Sequence, residues 1–206
     1  MMKTTTMLMS LALGALLLAG CAKPPTEKIE AAEQALRAAQ QSGAATYSAQ
    51  DYAKLEAAVA AMKKETSDQD GKFALLRDYG KVEQLAASAK ADGDRVKADA
   101  EKKKEEAKAG AMQARQVAQE AVKAAEDLVA TAPVGKDRAA LEAIKTDVEA
   151  LKASLNQVQM AIDKEDYSAA QTQAKAIAEK SQAVSAEIKN ALAKVGKGKP
   201  SAAKKK

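Results

Sequence analysis

From Leu141 to Ile162, apolar residues recur at alternating steps of three and four: Leu141, Ile144, Val148, Leu151, Leu155, Val158 and Ile162. This spacing keeps one apolar seam on a single helical face over about three heptads, which a strand of period two cannot do. After Lys164-Glu165-Asp166 a second seam follows, through Tyr167, Ala170, Ala174, Ile177, Ser181, Val184, Ile188 and Ala191. Two matched seams about a short polar joint predict an antiparallel helical hairpin over residues 133–195.

The rest of the chain allows no other fold class. It has no Trp, four Tyr and a single Phe, Phe73. Sheets draw on β-branched and aromatic side chains that are scarce here. Ala, Lys, Glu, Gln and Leu, which dominate, are good helix formers. The expected fold is all-α, with long helices in antiparallel hairpins or a coiled-coil-like bundle. The 33 basic and 28 acidic groups give a net charge of +5, interspersed as on a solvated helical surface. Only the segment from Gly196 to Lys206 is one-sided, and it is expected to be a flexible basic tail.

Helix boundaries can be placed from local signals. Pro24-Pro25 keep residues 22–25 out of a helix, and Thr26 is the expected N-cap of a helix carrying Ile29, Ala32, Leu36 and Ala39. Ser42-Gly43 should end it. Ser48-Ala49-Gln50-Asp51 fits a capping box with Asp for Glu, opening a helix with Tyr52, Leu55, Val59 and Met62 on one face. Ser67 to Gly71 reads as a loop. Asp78 is a capping candidate, yet a Leu75, Val82, Ala89, Val96 stripe runs through it. The chain therefore reverses at Asp70-Gly71 or at Asp78. Helix is expected from Tyr79 to about Ala130, weakened at Gly93 and Gly110. A break at Thr131–Gly135 and a helix opened by Asp137 follow. Asp51 and Asp78-Tyr79 are echoed by Asp137 and Asp166-Tyr167, as two hairpins joined at Pro133 would produce.

The first twenty residues have the parts of a secretory signal: Lys3, an apolar run from Met7 to Leu18, then small residues. As a helix the run covers about 18 Å, too short for a hydrocarbon core of about 30 Å. The lone cysteine, Cys21, cannot form an internal disulfide. Leu18-Ala19-Gly20-Cys21 resembles the lipobox of bacterial lipoproteins. The resemblance implies a diacylglyceryl (palmitate-type) anchor on Cys21 and cleavage before it. With Ala22 rather than Asp next, it also implies an outer-membrane destination facing the periplasm. Two or three acyl chains hold a protein stably where one does not.

Few residues offer chemistry. There is no His, so Ser–His and Cys–His catalysis is excluded, and with Cys21 assigned to lipid a zinc site has no usual ligands. Gly196-Lys197-Gly198-Lys199 lacks the strand and helix of a phosphate loop. Glu105-Glu106 and Glu165-Asp166 are adjacent carboxylates, which point about 100° apart on a helix of 3.6 residues per turn. Glu142–Lys145 and Glu149–Lys152 fit i,i+3 surface pairs. Met62, Met112 and Met160 are expected to pack, and Tyr79 and Tyr167 to cover helix joints with their hydroxyls in water. No enzyme activity, cofactor, metal, small-molecule substrate or nucleic acid is expected.

Residues 22 to about 110 also resemble small Ala-rich lipoproteins with a TPR-like domain of unknown function. The resemblance rests on the lipobox, Tyr47-Ser48-Ala49-Gln50-Asp51-Tyr52 and Asp78-Tyr79-x-x-Val. Gly80 stands where that family has Ala or Glu, and the interval between the two elements is longer here. The resemblance implies helical hairpins and no activity. A terminal Lys206 is also similar to that of the murein lipoprotein, whose last lysine joins peptidoglycan.

The resulting organisation is a signal peptide over 1–20 and a lipidated N-terminus and linker over 21–25. A helical region over 26–132, a hairpin over 133–195 and the tail over 196–206 follow. The expected role is structural or scaffolding, at the outer membrane through lipid on Cys21. The alternative is an adaptor recruiting a periplasmic protein partner, with peptidoglycan a further contact.

Overall fold

A computed structural model of the chain describes residues 22–132 and 138–197. All regular structure among the described residues is helical: α1 (Thr26–Gln41), α2 (Ala44–Tyr47), α3 (Ala49–Asp70), a 3-10 turn (Ala74–Leu76), α4 (Gly80–Thr131), α5 (Arg138–Asp163) and α6 (Tyr167–Lys197). The all-α expectation is met, with more helix than the sequence signals mark. The signal peptide, the lipobox with Cys21, Pro133 to Asp137 and the tail from Gly198 lie outside the described residues.

The chain forms two compact units, one up to Lys103 and one from Lys104. In the first, α1 and the early part of α4 run parallel, and α3 runs antiparallel to both. Lys28 meets Glu83 at 2.7 Å and Lys63 meets Glu33 at 2.9 Å. Lys81 meets Glu65 at 2.6 Å, while Arg95 approaches Asp51 at the far end of α3. The core is thin and alanine-rich: Ala32, Ala39, Ala86 and Ala89 line it, with Leu55, Val59, Met62, Val82 and Val96 as its larger members. Small side chains let helices approach until backbones nearly touch. A Cβ on Gly93 would lie 2.6 Å from the Ala35 Cβ, so this glycine marks a close crossing rather than a weak point.

The second unit repeats this course with the later part of α4, then α5, then α6. Lys152 reaches Glu126 at 2.8 Å, and Val148, Ala125, Val129 and Ile188 share one core. Both predicted seams face inward, with Val148, Val158, Tyr167, Ala170, Ala174, Ile177, Ser181 and Ile188 buried, except at Ala191, which is exposed while Leu192 packs in its place. In each unit a stretch of α4 packs with an antiparallel helix pair, α1 with α3 in the first and α5 with α6 in the second. The expected helical hairpins are therefore present, and the boundary between the units falls within α4.

Several local expectations are corrected. Pro25, not Thr26, occupies the N-cap of α1 and no side chain caps it. Ser48 does precede α3, but its hydroxyl makes no cap bond, because it donates to Asp99 at 2.6 Å. Asp51 faces Lys54 at 3.0 Å instead of closing a capping box. Ser67 to Asp70 belong to α3, and the reversal occupies residues 71–79. Leu75 is exposed and lies outside α4, so it is no part of the Val82 stripe. The break at Ser42-Gly43 is where expected, with Gly43 at φ +84°, a conformation open to glycine.

Candidate functional site

The elements that converge at one end of the first unit are the start of α1, the end of α3 and the start of α4. The ion pairs Lys28–Glu83 and Lys81–Glu65 fix that grouping. Ala22 to Pro25 lead into α1 at this end. Cys21 is five residues before Thr26, a reach of at most about 18 Å for extended chain.

The same end carries the reversal between α3 and α4. A set of hydrogen bonds closes its base. Arg77 donates through Nη2 to the Asp70 carbonyl at 2.8 Å and through Nε to the Lys72 carbonyl at 3.0 Å. The Asp78 amide donates to Gln69 Oε1 at 3.1 Å, and the Asp78 carboxylate accepts from the Gly80 amide at 2.9 Å. Tyr79 is buried and its hydroxyl donates to Asp70, which corrects the expectation of a phenol left to water. That bond holds the Tyr79 hydroxyl above its ordinary pKa. The Leu76 amide donates to the Phe73 carbonyl at 2.8 Å, forming one 3-10 turn.

This closed base presents three large apolar side chains to solvent. Phe73 is 71% exposed, Leu75 73% and Leu76 71%. The only Phe of the chain therefore sits outside the core. By spacing alone Leu75 falls on the Val82 stripe, and Phe73 and Leu76 lead into Arg77-Asp78-Tyr79 with no separate role. The available signal was a run of large apolar residues between Gly71 and Arg77-Asp78, with no helical partner positions on its N-terminal side.

At the other end of the first unit, Ser48, Asp99 and Lys103 form a polar cluster. Lys103 pairs with Asp99 at 2.7 Å and donates to the Ser48 hydroxyl at 3.3 Å. The lysine first, then the serine, holds Asp99 below the usual carboxylate range. Its groups satisfy one another, which is a structural clasp joining α3 to α4.

The other residues singled out from the sequence do not assemble. Glu165 takes φ +60° at the end of α5, where the Asp166 amide donates to the Ala161 carbonyl and the Glu165 amide to that of Ile162. That is a Schellman closure, and Asp166 then caps α6 through the Ala169 amide at 3.1 Å. Glu165 reaches Lys104 at 2.6 Å. Tyr167 is buried, Met62 is in the core, and Met112 and Met160 are exposed, against the packing expected of them. Glu142 and Lys145 pair at 3.1 Å as expected, whereas Lys152 turns to Glu126 on α4 and not to Glu149. Among the described residues no acidic cluster suits a metal ion, and no helix is long and apolar enough to cross a membrane. Compared with protein-family models, with curated proteins and with solved structures, the chain matches none.

Proposed function

We propose that this chain is a lipoprotein of the bacterial cell envelope. Its mature form begins at lipidated Cys21 and holds helical units at the periplasmic face of the outer membrane, in a structural or scaffolding role. The observation that carries the reading is the leader ending in Leu18-Ala19-Gly20-Cys21, followed after a four-residue linker by helix from Thr26 onward. The described surface is in keeping with it: many of its charges form ion pairs within and between helices, as in Lys28–Glu83 and Lys152–Glu126.

Intact mass and membrane fractionation of the native protein test this together with Cys21→Ser. The wild-type chain should lack residues 1–20, carry acyl mass and sediment with outer membranes. Cys21→Ser should keep its leader or appear in the soluble periplasm. An unacylated native chain, or a Cys21→Ser chain still processed and fractionating like wild type, overturns the proposal.

A further inference from the structure

The reversal between α3 and α4 has an apolar tip on a polar, hydrogen-bonded base. Phe73, Leu75 and Leu76 are each more than two-thirds exposed. A chain with a single Phe and no Trp has few large apolar groups, and an alanine-rich core leaves room for demand. Three of them nonetheless stand in solvent on one turn. The turn is not a slack connection, since Arg77 ties the Asp70 and Lys72 carbonyls and Tyr79 ties Asp70. It is held in a shape that turns the apolar side chains outward.

Its position indicates what covers it. Ala22 to Pro25 enter the bundle at the same end, and Cys21 is at most about 18 Å of extended chain from Thr26. Packed helices are about 8–10 Å apart, so the start of α1 and the end of α3 are near neighbours. An acyl chain on Cys21 would bring the tip to the bilayer surface. The tether also raises the local concentration of that surface, so a contact too weak to recruit a free protein suffices once it is intramolecular.

We infer that the Phe73-Leu75-Leu76 tip inserts into the interfacial layer of the membrane that holds Cys21, and so sets the orientation of the first unit on that membrane. This rests on the lipid anchor proposed above. The occupant of the apolar surface is lipid, at the headgroup–acyl boundary where such side chains settle.

The chain's lack of Trp gives a direct probe: Phe73→Trp in the full-length protein, purified from membranes and reconstituted in phosphatidylethanolamine–phosphatidylglycerol vesicles. Intact mass reports acylation separately from fluorescence. The introduced indole should emit to the blue and lose about half its intensity to lipids brominated roughly 5–10 Å below the surface. Adding Leu75→Ser and Leu76→Ser should reverse most of that quenching. An acylated chain whose indole stays open to iodide and unquenched by bromolipid overturns the insertion and leaves the anchor standing. An indole shielded from iodide but untouched by bromolipid means that protein, not lipid, covers the tip, and overturns it too. A chain without acyl mass overturns the anchor and this inference with it.

Discussion

The two units follow one plan and part company at a single turn. At the entry to and along the last helix of each, Tyr79, Val82, Ala86 and Ala89 correspond to Tyr167, Ala170, Ala174 and Ile177, all buried and all in the same phase. On the antiparallel helix, Tyr52, Leu55, Val59 and Met62 correspond to Val148, Leu151, Leu155 and Val158. Between these sets the second unit turns through Lys164-Glu165-Asp166, closed by a left-handed Glu165 and the Asp166 cap. The first unit uses residues 71–79 for the same reversal. A three-residue joint suffices to connect such helices, so the longer turn answers to something other than connection. It is where the chain exposes Phe73, Leu75 and Leu76.

The units also differ in how tightly corresponding positions are packed, and the largest expected effect tests that. Leu55 is 1% exposed, whereas its counterpart Leu151 is half-buried at the mouth of an open groove with Ser154 and Ala183. Leu55→Ala should cost about 3 kcal/mol through lost transfer energy and a cavity. Leu151→Ala should cost about 1 kcal/mol, since only part of its apolar area leaves water on folding. Hydrogen exchange resolved along the chain measures both, and equal losses would erase the distinction. Next come the two interior glycines of α4, Gly93 and Gly110. Gly93→Ala sets a methyl 2.6 Å from the Ala35 Cβ with backbone directly behind it. The overpacking outweighs the helix-propensity gain, for a net loss of about 1–2 kcal/mol. A Cβ at Gly110 meets only the Gln171 amide, at 2.9 Å, which can swing away. Gly110→Ala should therefore stabilise by up to about 1 kcal/mol. Thermal melts of the two variants must move in opposite directions.

The phase of every long helix was legible, because burial on a helix imposes steps of three and four that a sequence displays directly. Leu141 to Ile162 and Tyr167 to Ile188 needed nothing more. What stayed hidden depended on partners distant in sequence. Ser48 has the local form of a cap, and only Asp99, on another helix, explains why its hydroxyl points elsewhere. Lys152 has an acceptable neighbour in Glu149, yet chooses Glu126 once α4 and α5 pack. Leu75 stands one heptad before Val82, so spacing alone assigns it to the stripe. That it is exposed follows from the turn closed by Arg77. Ser67 to Asp70 have loop composition, but α3 carries them as its last turn, with Gln69 buried and bonded to Glu65. The apolar tip was illegible, because nothing in the spacing of Phe73, Leu75 and Leu76 sets them apart from a helix entry.

The finest contrast between the units is electrostatic and appears in acid. In the first unit, Lys63 and Arg37 hold Glu33 low, Lys54 does so for Asp51, and Lys81 with Gln69 for Glu65. Lys103 and Ser48 act likewise on Asp99. Each carboxylate has a folded pKa below its unfolded value, so its stabilisation is present above the unfolded pKa of about 4 and is lost as pH falls through the folded one. In the second unit Glu126 raises Lys152. That contribution needs Glu126 ionised, so acid removes it too, but it is one pair against the four lowered carboxylates of the first unit. Lowering the pH from 7 to 3 should therefore quicken amide exchange, after correction for intrinsic rates, in α1 and α3 before it does so in α5 and α6. Because these pairs are largely solvent-exposed, salt screens them, and the difference should shrink in 1 M sodium chloride. Acid loosening that began in α5 and α6, or that ignored salt, would locate the weaker unit elsewhere and remove ion pairing as its cause.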